Sequence, residues 1–216
     1  MAISKINLTD AVSGTIPAGN INNATLNNVT ALPAAVPTGK LKLISEQTAS
    51  GSASISFTTG IDSTYPIYRF EFINCHPSND SVNFKMNLST DGGSNYNVTK
   101  TSSTFQAQHD EADTEALIQY NTDRDLAQST SAQRFSLQIG NDNDQSVVGT
   151  LNLFNPSSTT FVKHYLARVQ GANGSNYTQQ LFTGGYMNTT SAVNAIQFSF
   201  QSGNIDAGDI CLYGIA

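Results

Sequence analysis

From Leu41 onward the apolar residues fall on every second position. Val82, Phe84, Met86 and Leu88 alternate with Asn83, Lys85 and Asn87. An extended chain with that spacing carries one apolar and one wet face, whereas a helix would scatter the same residues around its circumference. The pattern recurs at Ile55 and Phe57, at Tyr68, Phe70 and Phe72, at Phe135, Leu137 and Ile139, at Leu151 and Leu153, and at Ile196, Phe198 and Phe200. Gly, Asn, Asp, Ser or Pro separates the runs. Many short strands at about ten-residue spacing, with no helical stretches between them, predict an all-β chain: an antiparallel, jelly-roll-like β-sandwich. An immunoglobulin-like sandwich is the main competitor, and the absence of tryptophan counts against it.

Several local expectations follow from the same period. Asp91, Gly92, Gly93 and Ser94 supply turn chemistry tolerant of positive φ, so the Phe84 strand is expected to pair in a hairpin with the segment of Tyr96 and Val98. Phe161–Val169 (FVKHYLARV) is apolar enough for either a strand or a helix, and its aromatic and β-branched content favours the strand. Asp110–Leu117 (DEADTEAL) suits one short helix or an acidic loop. Near the C-terminus, QSGNIDAGD lies between IQFSF and ICLYGIA, which predicts a closing hairpin up to Ala216.

The chain before Lys40 obeys different rules. Ala11 to Gly39 contains no charged residue and spaces Ile16, Ile21, Leu26, Val29, Leu32 and Val36 singly among Asn, Thr, Ala, Gly and Pro. Pro17, Pro33 and Pro37 exclude a long helix. Extended backbone remains, and alone in water it buries too little to offset roughly 1–2 kcal/mol of backbone entropy per residue. Wrapping several copies about one axis, or laying the tract on a partner, resolves that deficit; a floppy linker is the alternative. The expected organisation is therefore an extended attachment or oligomerisation arm over residues 1–39 and a sandwich head over residues 40–216. The six apolar residues of the tract are its candidate contact residues.

Composition narrows the function classes. Charged residues make up 12% of the chain, against about 25% in an average globular protein, and Asn, Ser, Thr and Gln carry the polarity instead. With ten Lys+Arg against 16 Asp+Glu, the chain lacks the positive field that draws proteins to phosphate backbones, so nucleic acid is not an expected partner. MAISKINLTD has no apolar run behind its lysine, which argues against a signal segment and against membrane insertion. Cys75 and Cys211 lie in apolar strand-like segments and are expected as buried thiols. N-x-[ST] triplets such as those at Asn7, Asn87 and Asn176 arise from composition alone.

Catalytic constellations are not apparent. His76, His109 and His164 sit in no HExxH or comparable setting, and His164 is expected as a strand residue hydrogen-bonded at the sheet. His109 with Asp110, Glu111, Asp113 and Glu115, or the NDND at Asn141–Asp144, has carboxylates for calcium but lacks the spacing of an EF-hand loop. Tyr96, Tyr120, Tyr177 and Tyr186 lie in or beside Asn- and Gly-rich stretches, where a ring can stack on a sugar or simply pack. No cofactor and no enzyme activity are expected.

LTDAVSGTIPAGNINNATLNNVTALP resembles the N-terminal and shaft-like segments of tailed-bacteriophage fibre and appendage proteins. ISFTTGIDSTYPIYRFEFINCHPSND, MNLSTDGGSNYNVT and FQSGNIDAGDICLYGI resemble virion structural proteins of aquatic phages, cyanophages above all. The resemblance runs from Leu8 to Ile215, without a long repetitive shaft or a recognisable baseplate-docking domain. It implies a homotrimeric tail-fibre, spike or capsid-decoration protein on the virion surface, made in the host cytoplasm. Its partners would be copies of itself, other capsid or tail proteins, and a host glycan as a further candidate.

Overall fold

The structure, a computed structural model, describes residues 40–216; the arm and its six apolar residues lie outside the described residues. Thirteen strands and no helix occur among them. They are β1 (Leu41–Thr48), β2 (Ile55–Phe57), β3 (Ile67–Pro77), β4 (Phe84–Ser89), β5 (Lys100–Asp110), β6 (Ala116–Tyr120) and β7 (Leu126–Ser129). After them come β8 (Gln133–Arg134), β9 (Val147–Phe154), β10 (Lys163–Ala172), β11 (Tyr177–Met187), β12 (Ala195–Phe200) and β13 (Ile205–Ile215). Two antiparallel sheets form the β-sandwich. The larger runs β1-β13-β3-β9-β10-β11-β5-β6, with β7 also on β5, and the smaller runs β2-β12-β4-β8.

The alternating runs meet between the sheets. Phe70 and Phe72 of β3 face Phe57, Phe84 and Phe198 from β2, β4 and β12, with Phe72 and Phe198 centroids 5.1 Å apart and Phe57 and Phe70 5.3 Å apart. All five rings are buried, and the edge-to-face pairs suit the ring quadrupoles. Tyr68, Leu88, Leu151, Leu153, Val169 and Leu212 extend this core.

Pairing differs from the sequence expectation in three places. The Asp91–Ser94 turn forms, with Ser94 N donating to Asp91 O at 3.5 Å, and Val98 N donates back to Leu88 O at 3.3 Å, but the segment of Tyr96 and Val98 forms no strand: β4 pairs with β12 and β8, while β5 belongs to the other sheet. IQFSF and ICLYGIA likewise part company, β12 joining β2 and β4, and β13 lying between β1 and β3. Only Gln133–Arg134 is strand near Phe135, and Ile139 contributes an isolated bridge to Val82. Alternation specifies which face of a strand is apolar; it carries no information about the partner across the ladder.

Phe161–Val169 resolves as the strand β10 from Lys163, with Phe161 outside it and exposed. The acidic DEADTEAL segment is the turn between β5 and β6, where the Asp110 carboxylate accepts from Thr114 N and Glu115 N at 2.8 and 2.7 Å. Those bonds hold the Asp110 carboxyl below its ordinary pKa, the Thr114 side chain contributing most. Where β3 and β13 shift register, Gly208 has φ +108°, and a Cβ there would lie 2.5 Å from Asn74 O. That bulge has room only for glycine.

Candidate functional site: the outer face of the large sheet

Antiparallel pairing in regular register stacks outward-pointing side chains into rows across the sheet. One row reads Tyr120, Phe105, Phe182, Arg168, Thr150, Glu71. The next reads Ser103, Gly184, Leu166, Asn152, Arg69, Tyr213, Leu43. The inner side of β5 is polar instead, with Thr104 and Gln106 buried while Phe105 is 47% exposed and Leu166 on β10 is 55% exposed. Of the large apolar side chains exposed among the described residues, Leu41, Leu43, Phe105, Ile118, Tyr120 and Leu166 all belong to strands of this sheet.

Phe105 and Phe182 stack with centroids 4.8 Å apart and planes 7° from parallel. The Arg168 guanidinium lies 5.5 Å from the Phe182 centroid, a cation–π contact that keeps its charge over the ring. With the Gln180 amide turned to satisfy its neighbours, its oxygen accepts from Arg168 Nη2 at 2.9 Å and Nε at 3.1 Å. Arg69 Nε donates to Asn152 Oδ1 at 2.9 Å. Between these groups is a shallow cleft of about 420 Å³ lined by Ser103, Phe105, Asn152, Leu166, Arg168, Phe182 and Gly184. A Cβ on Gly184 would come within 3.2 Å of Leu166 Cδ2, so the glycine keeps the floor low. Flat aromatic surface ringed by guanidinium, amide and hydroxyl groups has the makings of a contact surface for a polar, partly apolar partner.

The residues singled out in the sequence are dispersed. Tyr120 is on this face, exposed, and its hydroxyl donates to Asp125 Oδ2 at 2.7 Å; that bond raises the phenol pKa. Tyr186 is also on β11, its ring 6.2 Å from His164. His164 is the strand residue expected, its backbone paired with Phe154 on one side and Tyr186 on the other, and its ring is exposed on the outer face of β10. Tyr177 donates to Glu115 Oε2 at 3.1 Å near the β5–β6 turn. His109 contacts Asp113 at 3.1 Å, and His76 contacts Asp206 at 2.7 Å. No group of three or more His, Cys, Asp or Glu side chains placed to hold a metal occurs among the described residues. Cys75 and Cys211 are buried free thiols, and burial pushes Cys75 up to about 12.

Phe105, Phe182, Arg168 and Leu166 belong to no motif that marks them as site residues in the sequence. Their signal is present in TSSTFQAQ, where a lone Phe sits among hydroxyls and amides; the polar neighbours are the ones that face inward. Comparison of the chain with protein-family models, with curated proteins and with solved structures finds no match.

Proposed function

We propose that this chain is a structural protein of a phage virion, a homotrimeric fibre- or spike-type appendage that attaches through residues 1–39 and displays the sandwich. The observation that carries the reading is the apolar outer face of the large sheet. A face with Phe105, Leu166, Tyr120 and Leu43 open to water is what a self-associating head offers to its copies. The virion assignment itself rests on the resemblance of the quoted stretches. Strand order supports a jelly-roll wrap: β1-β13-β3-β9 lies against β2-β12-β4-β8, and the chain crosses between sheets at each step among these eight except from β4 to β8. The strands β5–β7 and β10–β11 are then insertions that widen the large sheet.

Sedimentation of the full chain tests the reading: a stable trimer is expected, weakened by Phe105→Ser with Leu166→Ser. A monomer at every concentration would sink it. Imaging of labelled protein on intact virions separates a tail appendage from a capsid decoration protein.

A second reading is favoured by one feature. The stacked Phe105 and Phe182, with Arg168, Asn152 and Ser103 around them, form a platform suited to a sugar ring, which would make the head a glycan-binding receptor module. The same face cannot be buried between subunits and open to glycan. Glycan-array binding lost in Phe105→Ser would favour the receptor module; a trimer without sugar binding favours the structural one.

A further inference from the structure

We infer that the cleft beside β4 and β8 is a binding site for a sulfate or phosphate group, free or as an ester on a small polar carrier. The chain has ten Lys and Arg residues and a formal charge of −6. Three of those cations, Lys85, Arg124 and Arg134, nevertheless line one cleft of about 330 Å³. The sole carboxylate among its lining residues is Asp123.

Lys85 and Arg134 are direct cross-strand partners on β4 and β8, a like-charge pairing that costs stability unless something offsets it. Neither has a salt bridge among the described residues. Arg124 is 6% exposed, and its Nε has no hydrogen-bond acceptor among the described residues. Its only ionic contact among the described residues is Nη1 to Asp123 Oδ2 at 3.6 Å, and the Asp123 side chain is 81% exposed. Burial first, and the Arg134 charge second, lower the Arg124 pKa. A buried guanidinium facing two further cations and one solvated carboxylate is an uncompensated arrangement.

The arginine is not loosely placed. Arg124 O accepts from the buried Gln133 Nε2 at 2.7 Å, and Arg124 N donates to Asn121 O at 3.2 Å. Ser131 and Gln201 add a hydroxyl and an amide to the wall. A doubly charged tetrahedral oxyanion offers acceptors to two guanidiniums and an ammonium at once and neutralises the excess. The overall negative charge of the chain disfavours long polyanions, which selects for a small ligand.

The test uses the full chain, titrated with inorganic sulfate, inorganic phosphate, glucose 6-sulfate and glucose 6-phosphate, against chloride at matched ionic strength. The readouts are calorimetry and the Nε–Hε resonances of Arg124 and Arg134. Saturable binding is expected, with both arginine resonances shifting and affinity falling about tenfold or more in Arg134→Gln and in Lys85→Gln. Because each substitution removes a like-charge contact, both variants should fold with thermal midpoints in chloride no lower than the parent. Tighter binding of the esters than of the free ions identifies a carried group, and equal binding identifies the free ion. Identical responses to sulfate and chloride, or unchanged affinity in both variants, would overturn the proposal.

Discussion

Tyr165 donates its hydroxyl to Oε1 of Gln133 at 2.8 Å, and neither side chain is exposed to water. Gln133 is a hub: the same oxygen accepts from Ser102 Oγ at 2.7 Å, while Nε2 donates to Arg124 O at 2.7 Å and Arg134 O at 3.0 Å. Every bonding position of the amide is used, so the short strand β8 is tied to β5 and β10 by polar contacts.

Replacing Gln133 by Leu takes this partner from the Tyr165 hydroxyl and the Arg124 carbonyl in a buried site, and from the Ser102 hydroxyl and the Arg134 carbonyl in a half-buried one. At roughly 1–3 kcal/mol for each group left unpaired, a loss of about 3 kcal/mol or more is expected in urea unfolding. Tyr165→Phe leaves Gln133 Oε1 bonded to Ser102 and should cost only about 1 kcal/mol. Equal losses in the two variants would contradict the hub.

Gly185 presses on the same tyrosine. A Cβ there would lie 2.6 Å from the Tyr165 hydroxyl and 2.7 Å from Thr101 O, so Gly185→Ala must displace the ring or the β5 backbone, at about 1–3 kcal/mol. Combining it with Tyr165→Phe removes the closest contact and leaves those with the ring carbon Cζ and Thr101 O, both at 2.7 Å. The double variant should lose less than the sum of the single losses, and strict additivity would show that the hydroxyl is not what the methyl meets.

Lys100 is buried and uses Asn87 Oδ1 and Val98 O as acceptors, both at 2.7 Å, with no carboxylate partner among the described residues. Burial lowers its pKa to about 8, against about 10.4 in an unfolded chain. Below pH 8 both states are protonated and the cost of burying the charge is fully present. Between about pH 8 and about 10.4 the unfolded chain holds a proton that the folded one lacks, so this group's contribution rises with pH by up to ~1.4 kcal/mol per unit. Cys75 and the buried tyrosines, whose pKa values burial raises, drive stability the other way. The lysine is therefore read from the difference between the parent and Lys100→Met, which should move in the parent's favour as pH rises through this window. A constant difference would refute the assignment.

Deleting residues 209–216 removes most of β13, taking Ile210 and Leu212 from the core and leaving β1 without its partner. Because β13 lies between β1 and β3 and is no edge, the truncated chain should be insoluble or lose its cooperative transition. Soluble protein that unfolds cooperatively would show that the large sheet closes without it.

Much of the core was legible in the chain because Phe70, Phe72, Phe84, Phe198 and Leu151 obey the rule that apolar alternation faces inward. Partnership was not, since β4 and β5, or β12 and β13, look like hairpins until their ladders are known. The outer face was hidden for the opposite reason: in β5 the polar Thr104 and Gln106 go in and Phe105 stays out. That inversion is stable because Thr104 Oγ1 meets Thr183 Oγ1 at 3.1 Å and Gln106 bonds Gln108 and Asn121. The cationic cleft was invisible because Lys85, Arg124 and Arg134 are gathered only by the β4–β8 pairing and by the loop that Gln133 holds.

The pairing of β1 with β13 sets Leu41 opposite Ile215, and Ala216 N donates to Lys40 O at 3.0 Å. The first strand of the head thus waits for the last before it has a neighbour. Every other strand of the head emerges from the ribosome before β13 can complete the large sheet, so closure waits on β13 and keeps the slow pace of non-local pairing. During that interval the backbone donors and acceptors of β1 that face β13 have only water to bond.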